Sequence, residues 1–243
     1  MINSWAQAPS NHESRNYIHG VVRALVTDNK DPENLGRVKL TIPIREGEEV
    51  TEWAYVACMM AGKERGSVFV PEVDDEVLVA FHNGDMAEPY VIGALWNPKD
   101  KPPKYDAEKN NLRRIVSRAG HEITFDDTDK EGKIEIKTSK SHQVILDDKA
   151  DTLTVADGKG KNSIVINGGD SGKITIKSSG GANATITLTA QGEIQIESAK
   201  SISVKSAQVN LEASGMMGLK ATGNLTLESS AMVTIKGTMV KIN

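Results

Sequence analysis

Two hydrophobic patterns share this chain, and one gives way to the other between about Pro98 and Gly120. In the first, short β-type runs alternate with turn-rich segments. His19 to Thr27 reads HGVVRALVT and is followed by DNKDPENLG, Asp28 to Gly36, which is dense in turn residues. In Arg37 to Ile44, Val38, Leu40 and Ile42 alternate with Arg37, Lys39 and Thr41, the period of a half-buried strand. Pro43 closes that strand or marks an edge. A polar loop, Glu46 to Glu52, leads to a third run, Trp53 to Ala61, and Ser67 to Val70 is a short one. EVLVAF (Glu76 to Phe81) and PYVIGALW (Pro89 to Trp96) flank Asn83-Gly84, a hairpin-type turn. About five strands at short spacing, with no convincing helix, predict a small closed barrel of the oligonucleotide/oligosaccharide-binding (OB) type. Trp53, Phe81 and Trp96 sit in apolar strand contexts and are expected in its core.

From Lys133 onward a different unit recurs: apolar, one residue, apolar. Ile134-Glu135-Ile136, Leu153-Thr154-Val155, Ile164-Val165-Ile166, Ile174-Thr175-Ile176 and Ile186-Thr187-Leu188 are irregularly spaced. From Ile194 the spacing settles to 8, 7, 8, 8, 8 and 7 residues, through Ile202, Val209, Met217, Leu225, Val233 and Val240. A fixed short period signals a repeat architecture. β-branched residues alternating with polar ones, with recurrent Gly, exclude a helix. Each unit offers too few apolar side chains for one chain to enclose a dry core, so three chains pooling them at a common axis are expected. A single-chain solenoid needs longer repeats, roughly 20 residues or more. The predicted fold is all-β: an N-terminal OB-fold barrel followed by a trimeric intertwined β-helix, or β-prism, shaft. The expected division is an N-terminal extension at 1–16, the barrel at 17–98, a linker at 99–120 and the shaft at 121–243.

The residue after each regular apolar pair reads Glu197, Lys205, Glu212, Lys220, Glu228, Lys236. Stacked strands would set these as a ladder of alternating charge along the outside. Each exposed pair contributes only ~0.2–1 kcal/mol, but a slip of one repeat sets like charges together, so the ladder is expected to hold register.

Composition sharpens the division. Every Pro lies at or before Pro103, every aromatic at or before Phe125, and no Arg follows Arg118. The formal net charge of −4, without a basic cluster, argues against a nucleic-acid partner. The single cysteine, Cys58, excludes an intrachain disulfide framework and a cysteine-cluster metal site; its strand context suggests a buried small apolar residue. No apolar run is long enough to span a membrane, and the polar start lacks a secretory layout, so synthesis in the cytoplasm is expected.

The run WAYVACMMAGKERGSVFVPEVDDEVLVAFHNGDMAEPYVIGALWN, Trp53 to Asn97, resembles the barrel domain of phage baseplate spike proteins (baseplate assembly protein V). It also resembles the matching domain of VgrG in type VI secretion and the spikes of related contractile injection systems. LGRVKLTIP, Leu35 to Pro43, resembles the start of that domain, and SRAGHEITFDDT, Ser117 to Thr128, the barrel-to-shaft junction of VgrG-like members. The resemblance implies a homotrimeric, non-enzymatic spike of a phage tail baseplate, tailocin or injection particle. Such a spike joins the hub and tube to the tip and meets the target membrane only mechanically. About sixteen residues precede the barrel, which implies a separate hub protein. Asn97 to Gly120 is too short to hold the lysozyme domain of some phage spikes. GTMVKIN lacks the His-x-His iron site of some phage tips. A blunt end is therefore expected, where Met239, Val240, Lys241, Ile242 and Asn243 meet a PAAR-like tip protein.

Candidate chemistry is thin. Gly169-Asp170-Ser171-Gly172 echoes a serine-protease motif, but no His follows His142, and a triad is defined by geometry. Gly158-Lys159-Gly160-Lys161 lacks the ending of a phosphate loop. His121-Glu122 with Asp126, Asp127 and Asp129 reads as a solvated acidic turn before a cation site, and His82 and Asp85 belong to a hairpin tip. No catalytic residue, cofactor or metal is expected. The alternative reading is a carbohydrate- or nucleic-acid-binding OB module on a β-solenoid stalk, adhesin-like. An envelope-degrading β-helix enzyme ranks below it, because the shaft has no Arg or Tyr with which to build a site.

Overall fold

The computed structural model describes residues 17–43, 50–170 and 172–242. The predicted N-terminal extension, Ser171 and Asn243 lie outside them, as does most of the Glu46–Glu52 loop. The first seven strands are β1 (Val21–Asp28), β2 (Lys39–Thr41), β3 (Tyr55–Val56), β4 (Ala61–Gly62), β5 (Arg65–Gly66), β6 (Glu76–Phe81) and β7 (Pro89–Ala94). Five of them form one sheet in the order β2-β1-β6-β7-β3, antiparallel except for the β3–β7 pair. Val38 and Ala54 exchange backbone hydrogen bonds of 3.0 and 2.8 Å, which joins the β2 end of the sheet to the β3 end and closes the barrel. Closure removes the free edges that a five-stranded sheet would otherwise expose.

The barrel interior follows the period-two reading. Val38, Leu40 and Ile42 are buried, as are Val77, Val79 and Phe81 on β6, Ala24 and Val26 on β1, and Val91 on β7. Among the described residues, every buried hydrophobic side chain belongs to this barrel.

The Asp28–Gly36 loop is held by one carboxylate. Asp31 Oδ2 accepts hydrogen bonds from the backbone N–H of Leu35 (2.9 Å) and Arg37 (3.2 Å) and from Arg37 Nε (3.0 Å). Its Oδ1 accepts from Glu33 N (3.1 Å) and Arg37 Nη2 (2.8 Å). The Arg37 guanidinium, helped by these backbone donors, holds the Asp31 carboxyl well below the ordinary carboxylate range, while partial burial works against it. Arg37 is held charged in return. Asn34 and Gly36 take left-handed φ of 55° and 71°, which bring the loop back to the same carboxylate.

Three expectations fail in the barrel. Trp53–Ala61 is no continuous strand: it pairs through Ala54, β3 and the Ala57 N–H, which donates to the Val91 carbonyl at 2.8 Å, then leaves the barrel for the β4–β5 hairpin. Cys58 is exposed, because it lies past the end of β3. Trp96 is 71% exposed, because β7 stops at Ala94, while Trp53 is half-buried with Lys39 Nζ 5.2 Å from its ring centroid. Phe81 alone of the three expected aromatics is in the core. The Asn83-Gly84 turn does form, with φ of 50° and 88°, but within a longer 82–88 connection that starts with a 3-10 turn.

The second half is one nine-stranded sheet of consecutive antiparallel neighbours. Its strands are β8 (Leu112–Val116), β9 (Glu122–Asp126), β10 (Lys133–Lys137), β11 (Gln143–Asp147), β12 (Thr152–Ala156), β13 (Asn162–Asn167), β14 (Lys173–Ser178), β15 (Ala184–Thr189) and β16 (Ile194–Ser198). The sheet thus begins inside the stretch expected as a linker. The predicted triplets of this zone all lie in strands, together with two β-runs outside that series, Ile123-Thr124-Phe125 and Val144-Ile145-Leu146. Residues 199–242 form no strand and are exposed throughout. One contact ties the barrel to the sheet among the described residues: Glu72 accepts from Arg118 at 2.8 Å.

The folded pKa of Asp31 lies below its unfolded value near 3.8, so the clasp stabilises the barrel fully above about pH 4 and is lost as pH falls below that. Asp31→Asn should lower the barrel's melting temperature at neutral pH, by more than Arg23→Ala at the exposed Arg23–Glu76 pair. It should also flatten the acid limb of the stability profile, both readable by circular dichroism melts from pH 2 to 7.

Candidate functional site: the open face of the sheet

The register of the nine strands puts like beside like. Ile115, Ile123, Ile136, Val144, Val155, Ile164, Ile176, Ile186 and Ile196 are successive cross-strand partners. A second column runs from Phe125 through Ile134, Leu146, Leu153, Ile166, Ile174 and Leu188 to Ile194. Because side chains alternate across a strand, both columns share one face. The opposite face carries the intervening residues, among them Thr124, Glu135, Thr154, Thr175 and Gln195.

Burial is inverted relative to an ordinary sheet. Ile136, Ile164 and Ile176 remain 46, 42 and 42% exposed, whereas Thr124 on the polar face is 8% exposed. The first column lines a shallow trough of about 820 Å³ that runs from Ile136 to Ile202. A contiguous aliphatic face of this length on a folded sheet marks a contact surface. The backbone ladder is continuous from β8 to β16, while the apolar face stays open.

The candidate residues of the sequence do not converge on one place. Glu197 sits on β16 opposite Thr185, and Lys205, Glu212, Lys220, Glu228 and Lys236 are exposed along 199–242. Met239, Val240 and Ile242 are exposed, with Ile242 at 87%. Asp157 caps the Gly158–Lys161 turn: its Oδ1 accepts from Lys159 N (3.1 Å) and Lys161 N (2.9 Å), so this is a structural hairpin turn. His121 Nδ1 accepts from Ser139 N at 3.3 Å, Glu122 pairs with Arg114, and Asp127 with Arg113 at 2.7 Å. These acids are dispersed into separate contacts, and among the described residues no group of three His, Cys, Asp or Glu is placed to hold a metal ion. Gly169 is a left-handed turn residue with φ 75°. Among the described residues no helix is long and apolar enough to cross a membrane.

Comparison with known proteins agrees with the barrel. Residues 22–96 match the family model of the type VI secretion system/phage-baseplate injector OB domain. A spike protein of the type VI secretion system from Vibrio cholerae, VgrG3, is 26% identical over 125 residues, 47% of this chain and 12% of its own length. VgrG2a of Pseudomonas aeruginosa is 33% identical over 102 residues, 38% of this chain and 12% of its own length. VgrG1c of the same organism is 26% identical over 154 residues, 52% of this chain and 21% of its own length. The chain therefore spans about a fifth or less of these relatives. Over residues 22–96 the chain is similar to the injector OB domain, and the relatives it matches in part are spike proteins of the type VI secretion system.

Gly158 packs hard against the neighbouring turn: a Cβ there would lie 1.8 Å from the Lys140 carbonyl oxygen. Gly158→Ala should destabilise the sheet by about 3 kcal/mol or more, at or above the upper end of overpacking costs, with the barrel transition unmoved in a denaturant titration.

Proposed function

We propose that the chain is the structural central spike of a contractile tail or injection machine, acting as a homotrimer whose three sheets close their apolar faces against one another. The observation that carries this reading is the double apolar column, left open on a sheet that follows an injector-type barrel. A sheet exposes such a face only when something covers it, and three identical faces around an axis enclose a dry prism. The regular apolar pairs from Ile202 to Ile242, all exposed in one chain, continue the same interior. Residues 199–242 form no strand within one chain, and in this reading their strand partners come from the other two chains.

In this reading the barrels sit at the hub end, and the chain from β8 onward forms the shaft. The alternating Glu197, Lys205, Glu212, Lys220, Glu228 and Lys236 hold the register of the regular part. Met239 to Asn243 present an apolar platform to a PAAR-like tip protein. The work is mechanical: the rod transmits axial force through its covered core and interchain hydrogen bonds. Relatives named as spike proteins support a structural role. One similar protein bears the name actin cross-linking toxin VgrG1, and it matches this chain over only 11% of its length.

Light scattering on the purified chain should give three times the 26.2 kDa monomer mass; a monomer at micromolar concentration overturns the reading. Ile164→Ala and Ile176→Ala should each cost the assembled protein about 2–5 kcal/mol, the range for buried aliphatics. The same changes should cost well under that in chains diluted to monomer, where these side chains are already wet. Thermal melts across a dilution series distinguish the two.

A further inference from the structure

The loops on the two long edges of the nine-stranded sheet differ in charge. On one edge lie the connections β8–β9, β10–β11, β12–β13 and β14–β15; on the other lie β9–β10, β11–β12, β13–β14 and β15–β16. The first set carries Arg118, Lys140, Lys159 and Lys161 against the single acid Asp157, which is spent on capping its own turn. In the second set every loop has more acids than bases, with Asp127, Asp129, Asp148, Asp151, Asp170 and Glu193 among them. Lys149 of that edge is taken by Glu131. Among the described residues no ion pair involves Lys140, Lys159, Lys161, Asp129, Asp148 or Glu193. The two edges of one chain cannot pair with each other: a five-residue strand holds them ~17 Å apart, about twice the screening length at physiological salt.

From this arrangement we infer that the partner of each edge is the opposite edge of a second copy of this chain, and that these corner contacts set how the copies are arranged. The inference rests on the trimer reading above. When copies turn the same face to a common axis and point the same way along it, rotation brings the basic edge of each against the acidic edge of the next. Such a head-to-tail contact closes a ring. When a copy is reversed along the axis and packed face to face, basic meets basic and acidic meets acidic. The apolar columns cannot tell these arrangements apart, because aliphatic contact has no sign. The edge charges can, and they penalise the reversed one.

The test uses the full chain and its one native thiol, the exposed Cys58, as a spin-label site in the barrel. Variants are Lys140→Glu/Lys159→Glu/Lys161→Glu, Asp129→Lys/Asp148→Lys/Glu193→Lys, and the two sets combined. All six positions are exposed. Wild type should give a single cluster of short label distances, with all barrels at one end. Either single-edge set should weaken association roughly tenfold or more at low salt, an effect that shrinks as ionic strength approaches about 1 M. The combined set restores opposite edges and should recover both the mass and the short distances. Circular dichroism confirms that each variant keeps its sheet. Single-edge variants that assemble like wild type, or a combined set that fails to recover while folded, overturn the edge assignment. A monomeric wild type instead overturns the trimer reading and the edge assignment with it.

Discussion

The constraint on which this molecule turns is that the interior strands of its long sheet pair their backbones within one chain while one side-chain face stays open. Nine antiparallel strands leave no interior ladder position unpaired. Yet the largest aliphatic residues stand in two columns on an open face, more exposed than the threonines behind them. Hydrogen bonding therefore gives the sheet its shape, while its apolar columns stay uncovered within one chain. Each half-covered aliphatic side chain forgoes on the order of 1 kcal/mol while the face stays open, and two columns of them outweigh any set of exposed ion pairs.

The barrel is built on the opposite rule. Its sheet closes on itself through Val38 and Ala54, so its inward side chains pack against one another within the same chain. Asp31 adds a polar clasp that fastens the long β1–β2 loop onto the start of β2, with five donors on one carboxylate.

Much of this is legible in the linear pattern. The alternation in RVKLTIPI marks Val38, Leu40 and Ile42 as core, and the apolar triplets mark β10 and β12 to β16. Ile123 and Phe125 belong to the same columns, and Ile123-Thr124-Phe125 carries the same apolar alternation, set within a run that otherwise reads as a junction. The third barrel run, Trp53 to Ala61, is longer than the strand it forms, because β3 ends at Val56 and the chain goes on into β4. No local signal announces that β7 stops short of Trp96. The Asp31 clasp has only a weak sign in the sequence, an acid and an arginine six residues apart around a turn.

By itself the sequence determined which residues alternate, hence an all-β chain, a small barrel first and a repetitive strand region after it, because side-chain period is a local property of the backbone. Only the tertiary structure decided the register that stacks Ile164 on Ile176 and Val155, the sorting of loops onto two edges of opposite charge, and the exposure of Cys58 and Trp96. Those depend on which strands meet and where each one ends, and that is settled by pairing between distant residues.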